Sequence, residues 1–243
     1  MIRVLLSVTL RGLLNRRRTL LMLLLAASPV LIALLIRVVG RPVDPERLSA
    51  DVLDGLVVRT VLPLVALIFG TGALGSELED GTAVYLLVKP IERWRIIAAK
   101  LLAAAGLTAV LVVPAALAAG LLIAGDQGGG SDLAVAYAAS TAAGALLYSG
   151  IFVALSVVTG RALVVGLIYT LIWEGLLAGL FAGTRVLSVR EYVLAFASAL
   201  DPAARIGTGI DLPTASAMTI VVLGAAFAIA SNRLASYEVR SAE

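Results

Sequence analysis

Two ionisable residues lie inside long apolar stretches of the sequence, where a charge is costly. Glu174 lies in the second half of the stretch 162–181, and Arg59 lies in the stretch 53–74. Ionisable groups in a membrane face protein or water, and they often mark a transport path. We expect these two residues to be partners. Two interpretations stay open: a translocation path or gate, or a structural role as an ion pair or as a protonated glutamate bonded to a neighbouring hydroxyl.

The sequence excludes most catalytic chemistry because it contains no cysteine and no histidine. Disulfides, thiolate metal sites and cysteine nucleophiles cannot form, and histidine-dependent catalysis and histidine metal ligation are also excluded. Asp51 and Asp54 have a D-x-x-D spacing, but they belong to one acidic patch and are a weak metal signal. A solvated loop is the favoured interpretation. We therefore expect no catalytic residue and no metal site.

A polar segment, residues 76–95, separates two apolar stretches. Its acidic residues precede an apolar run, which is typical of a helix N-terminus; they are Glu77, Glu79 and Asp80. Lys89 and Pro90 end this short helix, and Pro90 can also occupy the first turn of the next one. The apolar face of the short helix needs a cover, which is either a partner protein or the rest of the membrane core.

The elements that must position these residues are membrane helices. The chain has 243 residues, of which 60% are hydrophobic and 14% charged, whereas soluble domains have about 25% charged residues. A membrane helix needs about 20 apolar residues. The sequence predicts a single all-α membrane domain over residues 1–243 with six spans. We place them at 19–36, 53–74, 94–124, 133–158, 162–181 and 213–230.

Two further segments flank the spans. Residues 1–18 place polar side chains on one helical stripe, which predicts an interfacial helix; the alternative is a simple flank of the first span. Residues 183–212 form a mixed segment before the last span. Within it, residues 189–200 have the pattern of a short amphipathic helix, which Asp201 and Pro202 end.

The basic residues predict the orientation. Arg16, Arg17 and Arg18 directly precede the first span, so the positive-inside rule places the N-terminus in the cytoplasm. Six spans return the C-terminus to the same side. The formal net charge is only +3, and most basic residues lie near span ends. We expect contact with membrane lipids and no nucleic-acid partner.

Small residues recur at helical spacing in two spans. Gly175, Gly179 and Gly183 are four residues apart in the fifth span, and Ala136, Ser140 and Gly144 do the same in the fourth. Such faces allow helix backbones to approach closely in lipid. They therefore predict helix packing in preference to a substrate site.

The polar segment resembles that of ABC-2 type ABC transporter permeases, in which E-x-x-x-G-T, leucines, P-x-x-R and a lysine follow the second span. The matching residues are Glu77, Gly81, Thr82, Leu86, Leu87, Pro90, Arg93 and Lys100. The N-terminal helix is similar to the elbow helix of that family. The six spans, the outer segment 183–212 and the cytoplasmic termini also agree. The resemblance covers nearly the whole chain, although only residues 77–100 are specific.

The resemblance implies a mechanism. Residues 76–93 would contain a coupling helix, about 81–88, that sits in a groove of a separate ATP-binding subunit present in two copies. Glu77 and Glu79 would pair with basic groups of that subunit, and Arg93 would contact lipid headgroups or nearby acids. A solvated charge is the alternative for each. The glycine face of the fifth span would lie at or near the interface with a second permease subunit, in a homodimer or heterodimer.

The predicted function is therefore a permease subunit of an ATP-driven exporter in a bacterial cell membrane. The chain has no G-x-x-x-x-G-K-[ST] phosphate loop, so it is not expected to be an enzyme, and ATP and Mg²⁺ would bind to the partner. An amphipathic drug, a lipid or a peptide would suit apolar spans. The alternatives are a membrane-embedded enzyme, which needs clustered catalytic groups, and an ion-coupled secondary transporter, which needs an internal repeat or more intramembrane carboxylates.

Overall fold

The computed structural model describes residues 9–10, 12–13, 16–40, 44–79, 92–125, 130–177, 182–204 and 206–240. These residues are mainly helical, and no strand occurs among them. Helix α2 runs through three consecutive segments, Pro45–Val52, Leu53–Val61 and Leu62–Glu79. The other main helices are α1 (Arg16–Val39), α3 (Arg93–Ala124), α4 (Gly130–Val158), α5 (Ala162–Leu177), α6 (Val189–Leu200) and α7 (Leu212–Arg240).

Five of these helices are long and apolar enough to cross a membrane. The qualifying stretches are Thr19–Val39, Pro45–Gly75, Arg93–Ala124, Ser131–Val158 and Leu212–Ser236. The stretch predicted as the fifth of six spans corresponds to α5, which is a shorter apolar helix, Ala162–Leu177. The all-α membrane fold is thus confirmed for the described residues, and the six-span count and the orientation of the termini stay predictions.

Two helix boundaries differ from the sequence predictions. Helix α2 begins before the predicted start of the second span at residue 53, because Asp44 caps the helix by accepting a hydrogen bond from the Arg47 backbone N–H at 3.1 Å, and Pro45 suits a first turn. Helix α7 continues to Arg240, past the predicted end of the last span at residue 230, and Leu234 within that extension is buried. The predicted interfacial helix, residues 1–18, lies largely outside the described residues.

Helix α4 is the centre of the bundle, and α2, α3, α5, α6 and α7 all pack against it. The small-residue face predicted on this helix is buried. A Cβ atom added to Gly144 would lie 2.6 Å from a Val193 methyl group and 2.7 Å from a Leu62 methyl group. This face therefore serves close packing of α4 against α2 and α6, as predicted.

The short helix predicted in the outer segment is confirmed as α6, with the predicted bounds. The Ser188 hydroxyl caps its N-terminus by accepting from the Glu191 backbone N–H at 3.4 Å, and Asp201 ends it. Most of its apolar residues are buried, including Tyr192, Val193 and Leu194. Helix α6 is therefore part of the packed core and is held against α4 and α7.

Candidate functional site: a carboxylate at the junction of α2, α5 and α6

Both intramembrane ionisable residues lie in π-helical turns. Residues Leu53–Val61 of α2 and Tyr169–Leu177 of α5 form wide turns with i→i+5 hydrogen bonding, a rare geometry that often occurs at functional positions. Arg59 belongs to the first of these segments and Glu174 to the second.

Glu174 is buried, with 3% of its surface exposed, and three hydrogen-bond donors satisfy its carboxylate. The Tyr169 hydroxyl donates to Oε1 at 3.0 Å, the Ser188 hydroxyl donates to Oε2 at 2.6 Å, and the Val189 backbone N–H donates to Oε1 at 2.9 Å. Because Ser188 and Val189 start α6, the carboxylate lies at the N-terminus of that helix, where the helix dipole favours negative charge. Glu174 thus joins the end of α5 to the start of α6.

The predicted partnership of Glu174 with Arg59 is wrong. The exposed Arg59 side chain donates through Nη2 to the backbone carbonyl of Gly175, the residue next to Glu174. The Arg59 side chain therefore links the π-helical segment of α2 to the backbone of the π-helical segment of α5. The hydroxyl contacts of Glu174 match the hydrogen bonding of the alternative, a protonated glutamate bonded to a neighbouring hydroxyl, and the protonation itself stays a prediction.

The ion pair at this junction joins two residues that the sequence did not connect. Arg190 of α6 holds the Asp54 carboxylate of α2 with two hydrogen bonds, Nε to Oδ1 at 2.9 Å and Nη2 to Oδ2 at 2.5 Å. Its Nη1 also contacts Glu191 Oε1 at 3.2 Å. Burial alone would lower the pKa of Arg190, but the hydrogen bond and charge of Asp54 outweigh it and the pKa is raised. Arg190 therefore stays charged.

Polar side chains also fix the turn between α5 and α6. The Tyr192 hydroxyl donates to the Val186 carbonyl at 2.5 Å, and the Trp173 indole N–H donates to the Leu187 carbonyl at 3.3 Å. Burial, with a smaller effect of the Glu174 charge, raises the pKa of Tyr192 to about 12. Tyr192 therefore keeps its proton and can act as a donor near neutral pH.

A cleft of about 830 Å³ adjoins this junction. It lies between the first turns of α2, the start of α4, α6 and residues 203–204 and 206–207. Its lining combines carboxylates, one arginine, a tyrosine and apolar side chains: Asp44, Glu46, Arg47, Ala50, Asp51, Asp54, Tyr137, Leu194, Ala203, Ala204, Ile206 and Gly207. The cleft and the Glu174 junction are therefore neighbours at one end of the bundle.

The end of α2 and the start of α3, which flank the predicted coupling segment, lie at the opposite end of the bundle. Gly81, Thr82, Leu86, Leu87 and Pro90 are outside the described residues. The backbone of α2 extends over Glu77 and Glu79 to its last residue, and Arg93 begins α3. Next to it, Glu92 forms an ion pair of 2.6 Å with Arg95, whose guanidinium lies 5.3 Å from the centre of the Trp94 ring.

Two of the three glycines predicted on one face of the fifth span, Gly175 and Gly183, lie in different kinds of helix, and the shared face stays a prediction. Gly175 lies in the π-helical segment and Gly183 in a 3₁₀-helix, Ala182–Leu187, so the number of residues per turn differs between them. Gly179 is outside the described residues. A Cβ added to Gly183 would meet no atom within 4 Å, and one added to Gly175 would meet only the Thr170 carbonyl of its own helix. A packing role within this chain is therefore unsupported for either residue.

The chain matches the sequence model of a known protein family. The family model described as ABC-2 family transporter protein matches residues 15–232. The chain belongs to this family. A search of curated proteins gives no match.

The ABC-2 family match confirms the resemblance found in the polar segment. The protein is a membrane permease component of an ABC transporter, which is a transport component and not a catalytic subunit. Together with the five apolar helices, the family makes it a multi-pass membrane protein. The matched range includes the Glu174 junction, the cleft and residues 76–93.

Proposed function

We propose that this ABC-2 chain is the transmembrane subunit of an ATP-driven exporter. Two permease subunits would work with two copies of a separate ATP-binding subunit, and the substrate would be an amphipathic drug, a lipid or a peptide-like compound. Both termini and residues 76–93 would face the cytoplasm of a bacterial cell. The observation that carries this proposal is the family match over residues 15–232.

The sequence supports the proposal that ATP binding and transport belong to two different subunits. The 243 residues contain no G-x-x-x-x-G-K-[ST] pattern, so they lack the glycine-rich loop that would hold the phosphates of ATP. ATP and Mg²⁺ would therefore bind to the partner. Its nucleotide-driven movement would reach this chain through residues 76–93.

Packing next to the polar segment supports its role as a coupling element. A separate apolar cluster joins the end of α2 to the start of α3, the end of α4 and the second half of α7. Its buried members are Leu74, Ile96, Ile97, Ala154, Val157, Ala226, Ala230 and Leu234. Because packed side chains transmit displacement with little compression, a force on residues 76–93 would move four helices together.

The Glu174 junction would then serve as the connection at the other end. Glu174 joins α5 to α6, and Arg59 joins α2 to α5. In this proposal, Glu174 and Arg59 act as positioning residues that keep these helices together when the bundle moves. A role of the two residues in an outer gate would follow from that connection.

The α5 surface would contact the second permease subunit. Its exposed residues are large and apolar, among them Leu163, Val164, Leu167 and Leu171. Gly175 and Gly183 leave additional room on the same stretch of chain. A second subunit with the same short helix could approach closely here.

Charge reversal in the coupling segment tests the proposal. In Glu77→Lys/Glu79→Lys, two lysines would repel the basic groups of the ATP-binding subunit. We expect that much less of this subunit copurifies with the variant and that the ATPase rate no longer responds to the permease. The matched control is Glu46→Lys/Asp132→Lys, which reverses two exposed charges at the opposite end of the bundle.

The control should retain its ATP-binding subunit at the wild-type ratio. Unchanged copurification and coupling in Glu77→Lys/Glu79→Lys would count against the coupling role of the segment. The amount of each variant in the membrane, measured by fluorescence-detected size exclusion, shows that folding is intact.

A further inference from the structure

The cleft near α6 carries an excess of negative charge. Its described lining contains four carboxylates and one guanidinium. The charge of Asp54 is neutralised by Arg190 from outside the lining, and Asp44 caps the first turn of α2. Asp51 and Glu46 are exposed and have no ion pair among the described residues. The cleft therefore attracts cations, and these two carboxylates are available to bind them.

A buried tyrosine gives a second, independent indication of a ligand. Tyr137 lines the cleft and has only 1% of its surface exposed. No hydrogen bond engages its hydroxyl within the described part of the chain, and the hydroxyl is open to the cleft. A ligand with an N–H donor in the cleft could therefore bond to it.

The arrangement of the acids favours an extended organic cation over a metal ion. Among the described residues, no group of three or more acidic side chains could hold a metal ion, so the carboxylates do not converge on one point. Apolar side chains lie between them, including Leu194, Ala204 and Ile206. The cleft volume of about 830 Å³ also lies within the range of about 300–1,000 Å³ that is usual for small-molecule sites.

We propose that this cleft binds a small aliphatic compound with several ammonium groups. One ammonium group donates to the Tyr137 hydroxyl, a second pairs with Asp51, and the connecting methylene groups contact Leu194 and Ile206. This binding site goes beyond the proposed exporter function. It is tested without ATP or a partner subunit, so its failure would leave the exporter proposal intact.

Spermidine is a suitable probe because it carries three ammonium groups on an aliphatic chain. The full chain is placed in nanodiscs of phosphatidylcholine, which adds no net charge, and binding is measured by calorimetry against empty nanodiscs. We expect saturable binding to the wild type. Diacetylspermidine, which keeps the chain but only one charge, should bind at least about tenfold more weakly because it loses two charge-assisted contacts.

Two variants locate the site. Asp51→Asn removes an exposed charge and Tyr137→Phe removes only a hydroxyl group, and each should weaken spermidine binding by about tenfold or more. Asp132→Asn removes an exposed acid at the same end of α4, outside the cleft, and should bind like the wild type.

The proposal is wrong if spermidine does not bind to the wild type, or if either cleft variant binds it as tightly as the wild type. It is also wrong if diacetylspermidine binds equally well, or if Mg²⁺ at the same concentration displaces spermidine completely. Because Asp51 is exposed, its variant stays informative even if Tyr137→Phe proves unstable.

Discussion

At the scale of single residues, Glu174 shows how a buried acid can be accommodated by hydrogen-bond donors, since no ion pair joins it to another described residue. Its carboxylate has four lone-pair sites and accepts from two hydroxyl groups and one backbone N–H. These hydrogen bonds hold the side chain at the N-terminus of α6. This environment favours a positioning role and changes what a substitution should do.

We predict that Glu174→Gln destabilises the protein. A glutamine side chain has one acceptor oxygen, so its NH₂ group replaces the oxygen that accepts from Ser188, and that hydroxyl must reorient to accept. Disturbing a buried hydrogen bond costs about 1–3 kcal/mol, and we expect a lower unfolding temperature together with lower abundance and transport. Thermal unfolding in detergent, followed by circular dichroism, measures the change.

Two comparisons make this prediction specific. Ser188→Ala removes one donor, so the double variant should be less destabilised than the sum of the single variants. Glu46→Gln, at an exposed acid, should unfold like the wild type. If Glu174→Gln loses transport but unfolds at the wild-type temperature, the carboxylate acts in the transport path.

The sequence could identify these residues as unusual but could not assign their contacts. An acid and a base within apolar stretches are visible in any sequence, and both are at the junction. Their partners include the Val189 N–H and the Gly175 carbonyl. Every residue has such backbone groups, so the sequence does not show which of them bonds to a side chain. Asp54 and Arg190 are far apart along the chain, and only the docking of α6 reveals that they form a pair.

At the scale of helices, the sequence predicts helix bounds well where particular residue types mark both ends of an apolar stretch. Residues 94–124 and 189–200 were placed almost as found, because glycine, proline or charge marks their ends. The π-helical turns in α2 and α5 could not be predicted. They insert a wider turn without changing the apolar character of the stretch, and this outcome depends on tertiary contacts.

Close approach of two helices gives a test at this scale. A Cβ added to Gly120 of α3 would lie 2.6 Å from the Ala134 Cβ and 3.0 Å from its Cα. A backbone atom cannot yield as a flexible side chain can, so Gly120→Ala must separate α3 from α4. We expect a loss of about 1–3 kcal/mol in unfolding free energy, which is usual for overpacking.

Gly106→Ala is the matched control on the same helix, because no atom lies within 4 Å of its added Cβ. Alanine has a higher helix propensity than glycine, so this variant should gain up to about 1 kcal/mol. Denaturation of the two variants in the same detergent compares them directly. Equal shifts for both would show that α3 and α4 are not in close contact at Gly120.

At the scale of the whole molecule, the lack of native cysteine makes the orientation easy to measure. Asp132 and Gly160 are exposed at opposite ends of α4. If the proposed orientation is correct, a membrane-impermeant maleimide labels Asp132→Cys in intact cells and labels Gly160→Cys only after the membrane is permeabilised. The reverse pattern would place residues 76–93 outside the cell and contradict the coupling role.

The length of α3 and α4 has a consequence for their place in the bilayer. With 32 and 29 residues, they rise about 44–48 Å, whereas the hydrocarbon layer is about 30 Å thick. Both helices must therefore tilt or extend past the lipid tails into the headgroup layer.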